Sequence, residues 1–240
     1  MPRFFVPPIS GDSYIVTGGD AQHIAKSLRM RPGEQLTLCD GATDYRCVVS
    51  SVSPQAVELQ VEGREPCRSE PSLRVTLYQA LPKGDRMDYV VQKAVELGVY
   101  EIAPILTERC VSRPDRQGAQ KKIARWQKIA AEAAKQSGRG LVPQITPLLD
   151  FSQALERAGQ AQCRLLFYEG GGGTLNELMP AGTQTAAVFI GPEGGFALQE
   201  VQQALDSGLS PATLGPRILR TDTAPLAALT ALMLLSGNLQ

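Results

Sequence analysis

Apolar residues recur at two different spacings along the chain. Over the first 63 residues they alternate with polar ones in short runs. Gln35–Cys39, Tyr45–Val52 and Val57–Val61 read as strands, the latter two rich in β-branched residues. Asp40-Gly41 is a turn signal between the first two. Asp20–Met30 is the one helix this part predicts, ahead of an Arg31-Pro32-Gly33 turn. The pattern predicts a small barrel-like β domain. Gly63–Ser72, polar with two prolines, marks a domain boundary, so residues 1–70 and 73–240 read as separate domains.

From Leu73 strands alternate with helices. Arg74–Leu81, Glu101–Thr107, Arg164–Tyr168, Ala186–Ile190 and Ala212–Leu214 are predicted strands. Asp85–Leu97 carries Met87, Val90, Val91, Ala94 and Val95 at helical spacing, and Gly98 stops it. Gln120–Gln136, Phe151–Ala158, Leu198–Ser207 and Ala224–Ser236 are the other main helices. In Gln120–Gln136, Ile123, Trp126, Ile129 and Ala133 share one side. Such alternation predicts an α/β domain with a mostly parallel sheet.

Composition narrows the class. The 240 residues are 43% hydrophobic and 20% charged, which suits a folded globular chain. The most apolar stretch, Leu226–Leu235, is about half of the roughly 20 residues of a membrane-spanning helix. MPRFFVPP has neither a long apolar run nor a cleavage site, so no leader and no membrane partner are expected. Five scattered cysteines form no CxxC pair, which predicts reduced thiols, a cytoplasmic location and no metal site. A single histidine, His23, excludes multi-His metal centres, and a structural role is expected for it. The net charge of zero hides a net +6 over residues 73–140, against −2 before and −4 after. Such a patch suits a polyanion, and a solvated helix face accounts for it equally well.

Three glycine-bearing loops follow predicted strands, where ligands of open α/β sheets bind. Glu169-Gly170-Gly171-Gly172-Gly173 precedes a Thr174/Glu177 capping box, but no P-loop lysine follows. Ile190-Gly191-Pro192-Glu193-Gly194-Gly195-Phe196 combines a rigid proline with glycines that let backbone approach a flat ligand. Leu214-Gly215-Pro216-Arg217-Ile218-Leu219-Arg220-Thr221-Asp222-Thr223-Ala224 repeats the Gly-Pro device and adds charge. Thr221, Asp222 or Thr223 is expected to cap the closing helix. A cap alone leaves the two arginines and the acid unexplained.

The second and third loops resemble the paired signatures of the RsmE family, ribosomal RNA methyltransferases of the SPOUT class. Lys83-Gly84-Asp85-Arg86-Met87 with Gln92–Gly98, Gln136-Ser137-Gly138-Arg139, and Leu28–Gly33 resemble further family motifs, so the resemblance covers nearly the whole chain. Two positions depart from it: Asp222 stands where Glu is usual, and Pro225 where a small residue is usual. The resemblance implies an N-terminal PUA-like β barrel and a C-terminal α/β domain with a deep trefoil knot. It implies a homodimer that uses S-adenosylmethionine to methylate N3 of a uridine in 16S rRNA of the small subunit (30S).

Glu169, Ile190, Gly191, Pro192, Gly194, Gly195, Leu214, Gly215, Ile218 and Leu219 are the expected cofactor residues. With no His in the C-terminal domain, Asp222 is the first candidate base and Glu193 the second. Arg220 is placed to stabilise charge on the uracil. Arg29, Arg31, Lys83, Arg86, Arg109, Arg113 and Arg139 are the expected RNA contacts. Two other readings remain open. One is a SPOUT enzyme with another target atom, such as a ribose hydroxyl, against which Leu219–Thr223 argues. The other is a non-catalytic RNA-binding or ribosome-assembly factor.

Overall fold

A computed structural model describes residues 1–239. The chain separates into two compact units, Met1–Glu70 with Ala134–Val142, and Pro71–Ala133 with Pro143–Gln240. The return of Ala134–Val142 to the first unit has no signal in the spacing of apolar residues.

The first unit holds β1 (Arg3–Phe5), β2 (Ser13–Thr17), β3 (Gln35–Cys39), β4 (Thr43–Val52) and β5 (Ala56–Pro66). They form one sheet in the order β1-β3-β4-β5-β2, antiparallel except where β1 joins β3. β5 runs to Pro66, so the polar stretch expected as a boundary begins inside a strand. Alternation buries Leu36 and Leu38 of β3 with Val57 and Leu59 of β5, around Phe4 and Ile24. The expected helix is shorter: α1 (Gly18–Gln22) passes into a π turn, His23–Ser27, and Arg29 adopts a left-handed φ of 53°. His23 lies edge-on to Phe4, ring centroids 6.1 Å apart.

The second unit is the α/β part. Its strands are β6 (Arg74–Ala80), β7 (Glu101–Leu106), β8 (Gln144–Ile145), β9 (Leu149–Asp150), β10 (Cys163–Phe167), β11 (Thr185–Ile190) and β12 (Ser210–Ala212). All pair in parallel, in the order β12-β10-β11-β6-β7-β8, with β9 also on β7. β11 is almost wholly buried, as a strand covered on both faces must be. The Tyr78 and Phe189 rings stack between neighbouring strands, centroids 4.4 Å apart.

The helices are α2 (Arg86–Glu96), α3 (Arg116–Gln136), α4 (Phe151–Ala158), α5 (Leu175–Leu178), α6 (Leu198–Asp206) and α7 (Ala224–Leu235). α7 packs on α2, β6 and β11 through Ala228, Leu229, Leu232 and Met233. Pro225 fits because it lies in the first turn, where no intrahelical donor is lost. Up to Ala133, α3 buries Trp126, Ala130 and Ala133 rather than Ile123 and Ile129, which are half-buried. The Trp126 indole donates to Asp88 Oδ1 of α2 at 3.0 Å. Among the described residues, no helix is long and apolar enough to cross a membrane.

Candidate functional site

The ends of β10, β11 and β12 lie side by side, and the three loops that leave them enclose a cavity of about 480 Å³. The first loop contributes Glu169, the second Ile190, Gly191, Pro192 and Gly195, and the third Leu214, Gly215, Ile218 and Leu219. Phe167, Tyr168, Phe196, Thr213, Arg217 and Thr221 also line it. Phe167 ends β10 and the others belong to the same loops, so their place at these strand ends was their only sequence signal. Gly194 is not among the lining residues: its carbonyl accepts from Arg109 Nη1 at 2.8 Å, and a Cβ there would meet the Arg109 side chain at 3.3 Å.

Two devices shape the approach of the loops to one another. Thr221 Oγ1 donates to the Gly191 carbonyl at 2.8 Å and lies 3.2 Å from Nε2 of the buried Gln79 in β6. Thr221 therefore joins the second and third loops. Of the expected caps, Thr223 occupies the N-cap position of α7 but makes no side-chain capping hydrogen bond, and the Thr221 hydroxyl is already engaged. The helix starts instead from a turn in which the Arg220 carbonyl accepts from Thr223 and Ala224 N–H. Gln79 sits in a strand pattern that suggests only packing, and nothing in the sequence singled it out. The second device is Gly195, with φ of 65° and an added Cβ only 2.8 Å from both Glu169 carboxylate oxygens. Only glycine fits there without displacing the acid.

Beside the cavity lies a charged cluster. Glu193 pairs with Arg86 and accepts from the Lys83 amide at 3.0 Å, while Arg86 Nε lies 3.9 Å from Asp222 Oδ2. Arg86 thus stands between the two carboxylates expected as bases. Partial burial pushes the Glu193 carboxyl up. Hydrogen bonds from the Lys83 amide, its own amide and Arg86, with the Arg86 charge, outweigh this and hold it below the usual carboxylate value. A lowered, cation-paired carboxylate is a weak proton acceptor, so Glu193 is better suited to anchoring Arg86 than to acting as a base. Arg220 is exposed, and neither it nor Asp222 lines the cavity.

The expected RNA contacts divide by environment. In the first unit Arg29 and Arg31 are exposed on the turn after the π turn. In the second unit Lys83, Arg86, Arg109 and Arg113 are exposed, with Arg113 Nη2 also donating to the Thr107 and Glu108 carbonyls at 2.7 and 2.9 Å. Arg139 is a correction. Its side chain is only 4% exposed and is locked to Glu70 at 2.6 Å, so it cannot reach a phosphate. Its motif reads as a surface turn, but the half-buried acid that claims it is remote in sequence.

The cavity suits a nucleoside-sized ligand such as S-adenosylmethionine. Its volume lies in the range of small-molecule sites, its walls are largely apolar, and Gly171, Gly191, Gly195 and Gly215 present backbone to it.

Comparison with known proteins agrees with this arrangement. A family described as RNA methyltransferase domain matches residues 69–233, and one described as RNA methyltransferase PUA domain matches residues 16–62. The chain is 36% identical to ribosomal RNA small subunit methyltransferase E of Bacillus subtilis, over 97% of this chain and 96% of that one. It is similar to a crystal structure of the enzyme of that name from Neisseria gonorrhoeae bound to S-adenosyl methionine. There the TM-score is 0.88 and the identity 36%, covering 98% of each chain. A Legionella pneumophila structure in complex with the cofactor SAM gives a TM-score of 0.87 at 33% identity, covering 97% of each chain. With this identity sustained across both parts of the fold, the chain belongs to the ribosomal RNA small subunit methyltransferase E family.

Proposed function

We propose that the chain methylates N3 of a uridine in 16S rRNA, with S-adenosylmethionine bound in the three-loop cavity. The observation that carries this is the cavity itself: it opens at the carboxyl ends of parallel strands and is lined by the residues expected to hold the cofactor, Gly194 excepted. Residues 1–70 serve as a PUA-like RNA-binding barrel, and residues 73–240 as a SPOUT domain whose three loops form the knot. The active protein is a cytoplasmic homodimer acting on the 30S subunit.

S-adenosylmethionine supplies an electrophilic methyl group when bound. Gly191, Gly195 and Gly215 present backbone to it, and Ile190, Ile218 and Leu219 its apolar walls. Asp222, steered by Arg86, accepts or orients the N3 proton. Arg220 stabilises negative charge on the uracil oxygens. Arg29, Arg31, Lys83, Arg109 and Arg113 hold phosphates.

The test is incubation with labelled S-adenosylmethionine and 30S subunits lacking modifications, followed by nucleoside mass spectrometry. A single 3-methyluridine is the expected product. A methylated ribose or another base would replace the target atom, and no transfer with no cofactor binding would leave an RNA-binding factor. Arg220→Ala should lower kcat far more than cofactor affinity, and equal losses would remove its assigned role.

A further inference from the structure

Within the first unit, two cysteines that are remote in sequence meet an aspartate. Cys39 ends β3 and is paired with Asp44 of β4. β4 pairs Thr43 with Pro66 of β5, and the Cys67 amide then donates to the Ala42 carbonyl at 2.8 Å. Cys67 is thereby delivered beside the other two. One ligand atom from each of Cys39, Asp44 and Cys67 lies within 4.8 Å of the others. Cys39 is buried and the other two are half-buried.

The surroundings are closely built. The Gly140 carbonyl lies 3.5 Å from Cys39 Sγ, and a Cβ on Gly140 would stand 2.4 Å from Cys67 Sγ. Arg3, whose side chain is 8% exposed, pairs with Asp44 and reaches Cys67 Sγ at 3.9 Å. Its Nε is enclosed with no hydrogen-bond partner.

We propose that Cys39, Cys67 and Asp44 form a binding site for a thiophilic divalent cation such as Zn²⁺, with Arg3 as the outer partner of the carboxylate. Tetrahedral Zn²⁺ with thiolate and carboxylate bonds places its donor atoms roughly 3.5–3.8 Å apart. Donors already within 4.8 Å need only a short inward movement. On binding, the two S–H bonds break, two Zn–S bonds and one Zn–O bond to Asp44 replace bonds from the cation to water, and two protons and the displaced waters pass to solvent. No electron is transferred. Two protons leave as one divalent cation enters, so the charge of the cluster is unchanged and Arg3 still balances Asp44. Two sulfur donors disfavour Mg²⁺ and Ca²⁺, which require oxygen. A fourth place is left for water.

The full chain, purified with a chelator and a non-thiol reductant and then dialysed, is titrated with Co²⁺ and afterwards with Zn²⁺. A single equivalent of Co²⁺ should give sulfur-to-cobalt charge-transfer absorbance, and Zn²⁺ should remove it. Cys67→Ser and Asp44→Asn, checked for folding by circular dichroism, should each weaken binding at least about tenfold. Zn²⁺ should also slow alkylation of Cys67 in the wild type but not in Asp44→Asn. The proposal is overturned if no charge-transfer band appears. It is equally overturned by equal Co²⁺ affinity in wild type and Cys67→Ser, or by a Cys39–Cys67 disulfide whose reduction restores no Co²⁺ binding.

Discussion

Replacing Gly195 by alanine strikes the cavity where backbone and carboxylate come closest. Two separable costs follow. The left-handed φ of 65° costs a non-glycine residue about 1–2 kcal/mol. The new Cβ would also lie 2.8 Å from both Glu169 oxygens, closer than such atoms approach, so the carboxylate must swing aside. Gly182 supplies the control. Its φ is 79°, nothing lies within 4 Å of an added Cβ, and it does not line this cavity. Gly182→Ala therefore carries the backbone cost alone. Differential scanning calorimetry should lower Tm in both variants by roughly 2–4 °C for each kcal/mol. Isothermal titration with S-adenosylmethionine should separate them. Gly195→Ala should bind at least about tenfold more weakly, equivalent to about 1.4 kcal/mol, and Gly182→Ala normally. Wild-type cofactor affinity in a folded Gly195→Ala protein would refute the placement of the cofactor beside Glu169 and Gly195.

Thr221→Val removes the hydroxyl between Gln79 and the Gly191 carbonyl. It should cost about 1–3 kcal/mol in denaturant unfolding and raise the Kd for S-adenosylmethionine; an unchanged Kd would show that the two loops need no such tie. Arg86→Ala breaks a pair that is partly exposed, so stability should move by no more than about 1 kcal/mol. Its methyl transfer should fall at unchanged cofactor affinity, and wild-type turnover would free Asp222 from any dependence on Arg86. For Glu70, burial raises the carboxyl pKa, but Arg139 and the Gly140 and Leu141 amides outweigh it and the value lies below normal. The stabilisation is therefore complete above the unfolded value of about 4.3 and is lost as pH falls through the lower folded value. Glu70→Gln should cost about 3–5 kcal/mol near neutral pH and flatten that acid-side loss, and an unaltered acid limb would assign it to other carboxylates.

Much of the fold was legible because local pattern and tertiary need coincide. Buried parallel strands such as β11 are continuous apolar runs bounded by turns, and α2 and α4 show their buried faces in the spacing of apolar residues. Short or twisted elements were not legible. β1 is too brief to show a period, β2 buries only Val16, and the π turn at His23–Ser27 keeps the apolar residues of an ordinary helix. In the site, the glycine loops announced themselves because close backbone approach requires glycine. Gln79, the Glu70 partner of Arg139 and the Arg86 bridge were invisible, since each depends on a residue distant in the chain.

By itself the sequence determined the main strands and helices of the α/β part, the three loops that follow β10, β11 and β12, and the motifs that resemble the family. The elements and loops follow from periodicity and backbone chemistry, which act over a few residues, and the family from the resemblance of its motifs. Tertiary structure alone decided which charges are free and which are spoken for. Arg139 is a surface-type residue made structural by burial against Glu70, and Glu193, a candidate base, is paired with Arg86. Cys39 and Cys67, with no motif between them, become neighbours through strand pairing. Desolvation and charge pairing depend on what surrounds a group in space, and that is set only when remote segments pack together.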